Sequence, residues 1–382
     1  MPNPLRQLLD FGQSFWLDNI HRAFTRGGGL KKLIDDDGLR GVTSNPTIFQ
    51  KAISDTSDYD AALKELVAKG TDAWGIYDAL TTADIADACD VFRPLYDSLK
   101  GADGYVSMEL PPHMARDTKA SIAEAHRLWS KIERPNLFIK VPATDEGMPV
   151  IRQLIADGIN VNITLMFGEG YYEKVIGAFM SGLEDRLAKG LPLQHLASVA
   201  SCFVSRVDTE ADKRIEAALG GADPARREAL EKHLGKTAIA NSKRLYRLYK
   251  RSIETQRWKK LEAAGARRQR PLWASTSTKN PKYPDTYYVE ALIGQETIDT
   301  MPPATIQAFR DHGKVAATLD RGYEEADATI DGLGSLGISL KSITDTLLED
   351  GLVIFQKSYD ELVSGIETKM KSLHPASAAP GA

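Results

Sequence analysis

The run NLFIKVPAT (136–144) sets one lysine, Lys140, inside an otherwise apolar stretch that reads as a buried strand. Lysine is almost never fully buried without a partner, because an ammonium group taken out of water is costly. Inert explanations for a lysine in such a place are few. An amine withdrawn from water favours its neutral form, the nucleophile that makes Schiff bases with ketones. A carboxylate within reach then carries protons for carbinolamine formation and dehydration. Carboxylates stand near the ends of similar runs, Asp18 in SFWLDNI (14–20) and Glu109 in GYVSMEL (104–110). An amide and a hydroxyl, Asn162 and Thr164, interrupt GINVNITLMF (158–167). Taken singly, a strand-end Asp or Asn is more often a turn former or a helix cap, and a strand Thr a plain β-former. Their convergence is the signal.

These residues need strands to aim them. Besides the four runs above, GLRGVTS (38–44), LASVASCFVS (196–205), PLWASTS (271–277) and YYVEALI (287–293) have strand-like composition. The segments between them show helical periodicity, as in SIAEAHRLWSKIE, and strand–helix alternation implies a parallel sheet. Eight such units predict an α/β fold, a single (β/α)8 TIM barrel with a long helical insertion between strands six and seven, from about 208 to 270. The barrel domain is expected over 1–372, with 373–382 a disordered tail.

Strand side chains alternate faces. If Ile159, Val161, Ile163, Leu165 and Phe167 face the helices, then Asn160, Asn162, Thr164 and Met166 face the barrel interior. The same parity turns Phe138 and Lys140 inward, pairs Ser107 with Glu109, and pairs Trp16 with Asp18. The polar members lie toward the C-terminal ends of their strands, where barrel active sites are built.

Bulk properties exclude several classes. The 382 residues, 42% hydrophobic and 26% charged with a formal net charge of −4, fit a globular chain without a nucleic-acid footprint. Two cysteines, Cys89 and Cys202, make neither a disulfide scaffold nor a zinc module, and the seven histidines form no metal motif. No signal peptide or membrane span is read, so a cytoplasmic protein is expected. GLGSLG (332–337) matches a dinucleotide fingerprint only by chance, since no strand precedes it. Residues 243–270 hold eleven Lys/Arg against two Glu, and Leu245, Leu248 and Tyr249 suggest a solvated basic helix face packed on the body rather than a nucleic-acid site.

Read in order, LDNI, GVTSNPTIF, SMEL, FIKVPAT, NVNITLMF and ASCFVSRVD resemble transaldolase, from about residue 9 to residue 303. The long insertion and STSTKNP resemble a longer branch of that family. The resemblance implies that Lys140 is the Schiff-base lysine and Asp18 the acid/base at the cleaved bond. It further implies that Glu109 and Thr164 hold a proton-transferring water, and that Asn45 and Asn162 bind the dihydroxyacetone hydroxyls. Ser201, Phe203 and Arg206 match the pocket wall and the phosphate-binding arginine. The better-known branch carries Ser-Phe-Arg-Asn after strand seven; here serine replaces that arginine, and either Lys279 or the hydroxyls of Ser275 and Ser277 take up its part.

The implied activity is transfer of a dihydroxyacetone unit from sedoheptulose 7-phosphate or fructose 6-phosphate to glyceraldehyde 3-phosphate or erythrose 4-phosphate. It needs no metal and no organic cofactor. Sugar phosphates are the expected partners, nucleic acid and membrane are not, and the protein is expected to be a monomer or homodimer. The related fructose 6-phosphate aldolases are shorter, with tyrosine at the place of Phe203 and glutamine at that of Glu109. A non-catalytic sugar-phosphate-binding barrel is opposed by intact Asp18, Glu109 and Lys140.

Overall fold

The computed structural model describes residues 3–373. Eight parallel strands close a barrel in chain order: β1 (Gln13–Asp18), β2 (Gly41–Thr43), β3 (Tyr105–Glu109), β4 (Leu137–Pro142), β5 (Val161–Met166), β6 (Ser198–Phe203), β7 (Arg270–Ala274) and β8 (Thr297–Met301). Closure runs from Gln13↔Thr297 to Leu17↔Met301. Helices between the strands make this the expected (β/α)8 barrel. Leu137, Ile139 and Val141 of β4, and Val161 and Ile163 of β5, are fully buried, as strands covered on both faces require.

The inner face is layered. At the floor, Trp16 Nε1 donates to Asp103 Oδ1 at 2.9 Å, and Arg270 pairs with the same carboxylate at 3.2 Å. Tyr105 and Phe138 fill the space beside Trp16, with ring centroids 4.4 Å apart. Gly41 of β2 leaves room for them: a Cβ there would stand 2.6 Å from the Trp16 ring and 2.8 Å from the Tyr105 carbonyl. Gly41→Ala is therefore expected to destabilise the protein by about 1–3 kcal/mol through overpacking. Urea unfolding measures it, and an unchanged midpoint would show a looser floor than these contacts imply.

β5 departs from simple alternation. Leu165 takes φ +53°, and the register against β6 slips between Ile163 and Met166, a bulge. Asn162 and Thr164 stay inward, but the parity that turned Met166 inward ends at the bulge, and Met166 does not line the cavity above.

The eighth strand was expected at 287–293 and lies instead at Thr297–Met301. Tyr287–Ala291 is a short helix. The β-branched and aromatic content of YYVEALI imitates a strand, yet the buried Tyr288, Val289, Leu292 and Ile293 are spaced for one helical face. The true strand, TIDTM, hides behind two threonines and an aspartate.

Between β6 and β7 come four helices, Ser205–Leu219, Pro224–Glu231, Thr237–Ile253 and Gln256–Ala263. Leu245 and Tyr249 are buried, and cations of the basic stretch pair within the chain: Arg247 with Asp327, Arg257 with Glu184, Arg268 with Glu296. Gly332 and Gly334 sit inside the helix Tyr323–Ser335. The last helix, Leu340–Leu373, packs along the helix Pro46–Asp55, with Thr47 and Ser358 hydroxyls 2.8 Å apart. Of the tail expected at 373–382, Leu373 closes this helix; the rest lies outside the described residues.

Candidate active site

A cavity of about 630 Å³ opens at the C-terminal ends of the strands. Asp18, Asn45, Lys140, Thr164, Ser201, Phe203, Arg206, Ser275 and Lys279 all line it. Glu109 and Asn162 stand behind that wall. The sequence thus named both the lining and part of its support.

Lys140 is 4% exposed, and its Nζ donates to Glu109 Oε2 at 2.9 Å and to the Ser44 carbonyl at 2.8 Å. The lysine that looked isolated in its strand has two acceptors, supplied by β3 and by the residue after β2. Burial pushes the Glu109 carboxyl above its usual range, against the pull of the Lys140 ammonium. A carboxyl in that condition exchanges a proton with its neighbour readily.

Asp18 ends β1 beside Thr43, whose hydroxyl donates to Asp18 Oδ1 at 2.6 Å and meets the Thr300 hydroxyl at 2.7 Å. Burial raises the Asp18 carboxyl, while the Thr43 hydroxyl and the charges of Lys140, Lys279 and Arg206 oppose the rise.

Asn45 caps the helix Pro46–Asp55: its Oδ1 accepts from Ile48 N at 3.0 Å, with proline at the first helical position. With the oxygen committed to the cap, the NH2 group is what Asn45 presents to the cavity. Structural and ligand-binding readings of this residue are compatible. Asn162 is completely buried, accepting from Ser201 Oγ at 2.7 Å and donating to Ser107 Oγ at 3.0 Å. These bonds fix the orientation of its amide. Thr164 Oγ1 is buried without a hydrogen-bond partner among the described residues, an open demand beside the lysine.

The cavity mouth is cationic. Arg206, in the first turn of Ser205–Leu219, lies over Phe203 (5.2 Å) and Phe355 (5.7 Å), and pairs with no carboxylate among the described residues. Burial lowers its pKa, opposed by Glu109 and Asp18. Lys279 is lowered too, by desolvation and then by Arg206, and its Nζ donates to Ser277 Oγ at 2.5 Å. Ser275 takes φ +56°, an arrangement that costs about 1–3 kcal/mol for a non-glycine and gathers at functional sites. Its carbonyl accepts from Ser205 N at 3.0 Å, and its hydroxyl lies 2.9 Å from Ser205 Oγ, which ties this loop to the one that carries Arg206.

Thr43, Ser44 and Thr300 escaped sequence reasoning, although strand alternation through GVTS marks the faces of the first two; parity sets Ser107 on the face of Glu109 but gives it no part in the site. Phe355 left no such trace. It comes from the last helix, far along the chain, and only the packing of Leu340–Leu373 brings it to Arg206.

The family model described as transaldolase/fructose-6-phosphate aldolase matches residues 15–366. A transaldolase of Acidothermus cellulolyticus is 48% identical over 372 residues, covering 97% of this chain and 98% of that protein. Transaldolase 2 of a Nostoc species is 45% identical over 98% of this chain and 99% of its own length. Transaldolase 2 of Streptomyces coelicolor is 44% identical over 98% of this chain and its whole length. A barrel with a buried lysine–glutamate pair at the bottom of a cation-rimmed cavity, matched along nearly the whole chain by these proteins, belongs to the transaldolase/fructose-6-phosphate aldolase family.

Proposed function

We propose that this protein is a transaldolase, a transferase that moves a dihydroxyacetone unit between sugar phosphates through a Schiff base on Lys140. The contact that carries the proposal is Lys140 Nζ to Glu109 Oε2 at 2.9 Å, at the end of the barrel where cleavage groups and cations converge. Glu109 takes the ammonium proton, and the free amine attacks the C2 ketone of a ketose phosphate. The carbinolamine hydroxyl leaves as water when Glu109 returns the proton, giving the iminium. The unpartnered Thr164 hydroxyl suits a water in this exchange. Asp18 then takes the C4 hydroxyl proton, the C3–C4 bond breaks, and its electrons enter the iminium to form an enamine. The aldose leaves. The enamine, held by Asn45 with Asn162 bracing Ser201 of the wall from behind, adds to the carbonyl carbon of an incoming aldose phosphate, and Asp18 returns its proton to the new alkoxide. Hydrolysis of the iminium releases the product ketose and restores Lys140.

Arg206 offers its guanidinium to the phosphate, in the fork geometry that suits phosphate oxygens. Lys279 with Ser277 supplies the second cation. The iminium is itself the electron sink, so the cycle calls on no metal or organic cofactor. Sedoheptulose 7-phosphate or fructose 6-phosphate serves as donor, and glyceraldehyde 3-phosphate or erythrose 4-phosphate as acceptor, in the non-oxidative pentose phosphate pathway. A cytoplasmic monomer or homodimer completes the reading. Borohydride reduction with fructose 6-phosphate should fix a three-carbon adduct on Lys140, located by peptide mass spectrometry. An adduct elsewhere, or none, would refute the proposal. Product formation should depend on the acceptor; indifference to erythrose 4-phosphate would favour an aldolase.

A further inference from the structure

Behind the phosphate end of the cavity lies a carboxyl group that the reaction above does not use. Asp299, in the middle of β8, is completely buried on the outer face of the barrel, beside Phe15 of β1 and Trp273 of β7 in register. Its Oδ1 accepts from Thr276 Oγ1 at 2.8 Å, while Oδ2 has no partner among the described residues. Burial pushes its pKa up to about 7, partly offset by the Thr276 hydroxyl. A buried carboxyl with one partner is an expensive feature, and the one contact it makes is informative.

Thr276 sits between Ser275 and Ser277 in the loop that follows β7. It is fully buried and also reaches the Thr300 carbonyl at 3.2 Å. Thr276 is drawn outward onto Asp299, while Ser275 and Ser277 on either side of it line the cavity together with Lys279. The left-handed conformation of Ser275 shows that the loop does not follow this course by local preference alone. Something must hold it: Ser205 holds Ser275 through two bonds, and the two bonds made by Thr276 hold the residue that leads on to Ser277 and Lys279.

We propose that Asp299 is a positioning residue for phosphate recognition, acting through Thr276 to keep Ser277 and Lys279 directed into the cavity. This rests on the reading of Arg206 and Lys279 as the phosphate site, and extends it to a carboxyl group that never touches substrate. A purely structural role would lower stability without distinguishing substrates. A positioning role changes KM for phosphorylated acceptors selectively.

The test compares erythrose 4-phosphate with unphosphorylated glyceraldehyde as acceptor, using the full-length enzyme and Thr276→Val, Asp299→Ala, Asp299→Asn and Lys279→Met variants. Thr276→Val, nearly isosteric, and Asp299→Ala should each raise KM for erythrose 4-phosphate about tenfold, the loss of roughly one hydrogen bond to a charged group. The KM for glyceraldehyde and both kcat values should stay within about twofold, the spread that a few tenths of a kcal/mol allows. Asp299→Asn keeps an acceptor for Thr276 and should stay near the parent enzyme. Should Asp299→Ala fail to fold, Thr276→Val and Asp299→Asn carry the comparison. Equal rises in KM for both acceptors, or a fall in kcat alone, would overturn the proposal. Lys279→Met separates it from the reading beneath. If Lys279→Met raises the erythrose 4-phosphate KM and Thr276→Val does not, Asp299 has no such role and Lys279 keeps its own. If Thr276→Val raises it and Lys279→Met does not, the loop acts through Ser277, and the assignment of Lys279 falls instead.

Discussion

Lys140→Met should abolish transfer, with kcat falling on the order of 10⁶-fold, as loss of a covalent nucleophile does in other enzymes. Methionine keeps the stem and most of the volume, so the barrel floor and the walls of the cavity should persist. The stability of the variant is equally diagnostic. Removing the ammonium leaves Glu109 buried without its partner, and breaking a buried ion pair by deleting one member costs about 3–5 kcal/mol. The cost depends on pH. Burial already raises Glu109, and without Lys140 the carboxyl rises further, so its folded-state pKa lies above the unfolded value. Such a group destabilises where it must ionise in the fold, and the penalty disappears below its unfolded pKa. Lys140→Met should therefore be strongly destabilised at pH 8 and recover toward the parent enzyme near pH 4. Adding Glu109→Gln should restore stability at pH 8 without restoring activity. Urea unfolding at the two pH values reads the first effect, and kcat the second. A Lys140→Met enzyme retaining a hundredth of the parent rate would place the covalent bond on another group.

What the sequence disclosed, it disclosed through strand parity. Lys140, Glu109, Asp18, Asn162 and Thr164 are inward residues near strand ends, and the period of two places them without knowledge of the tertiary structure. The same rule failed at Met166, because a bulge at Leu165 inserts one residue and no local signal announces a left-handed leucine. It failed differently at the eighth strand. TIDTM is only five residues long, and its Asp299 and Thr300 serve the loop after β7 and the Thr43–Asp18 pair, so polarity masks the strand that carries them. Lys140 itself was read correctly as inward, but its two acceptors come from β3 and the turn after β2, and pairings across the sheet are a matter of register rather than local pattern. Phe355 is the furthest case. Its place over Arg206 depends on how the helix Leu340–Leu373 lies across the mouth, which follows from packing against the helix Pro46–Asp55.

Asp18→Asn is expected to lower kcat about 10²–10⁴-fold, the usual worth of a positioned acid or base, while leaving the borohydride-trappable iminium intact. The amide is isosteric and still accepts from Thr43, so the cavity keeps its shape and only the proton transfer at the cleaved bond is lost. The order of events makes the outcome specific: Lys140 and Glu109 form the iminium before Asp18 acts. Iminium should therefore accumulate in the variant, whereas Lys140→Met forms none. The pH dependence follows from the direction of the shift. Asp18 must be ionised to take the C4 proton, and burial raises its pKa, so the acid limb of kcat in the parent enzyme should lie above the ordinary aspartate value of 3.8. That limb should vanish from the residual activity of Asp18→Asn. Stability should move the other way. A carboxyl that binds its proton more tightly folded than unfolded opposes folding at every pH above its unfolded pKa, with the full effect reached above the folded one. The attractions of Lys140, Lys279 and Arg206 are already included in that net rise. Replacing the charge with an amide should thus stabilise the protein at pH 7 by about 0.5–2 kcal/mol, as removal of a strained functional group commonly does. An Asp18→Asn enzyme that is both inactive and less stable at pH 7, or that traps no iminium, would mean that Asp18 maintains the site rather than moving the proton.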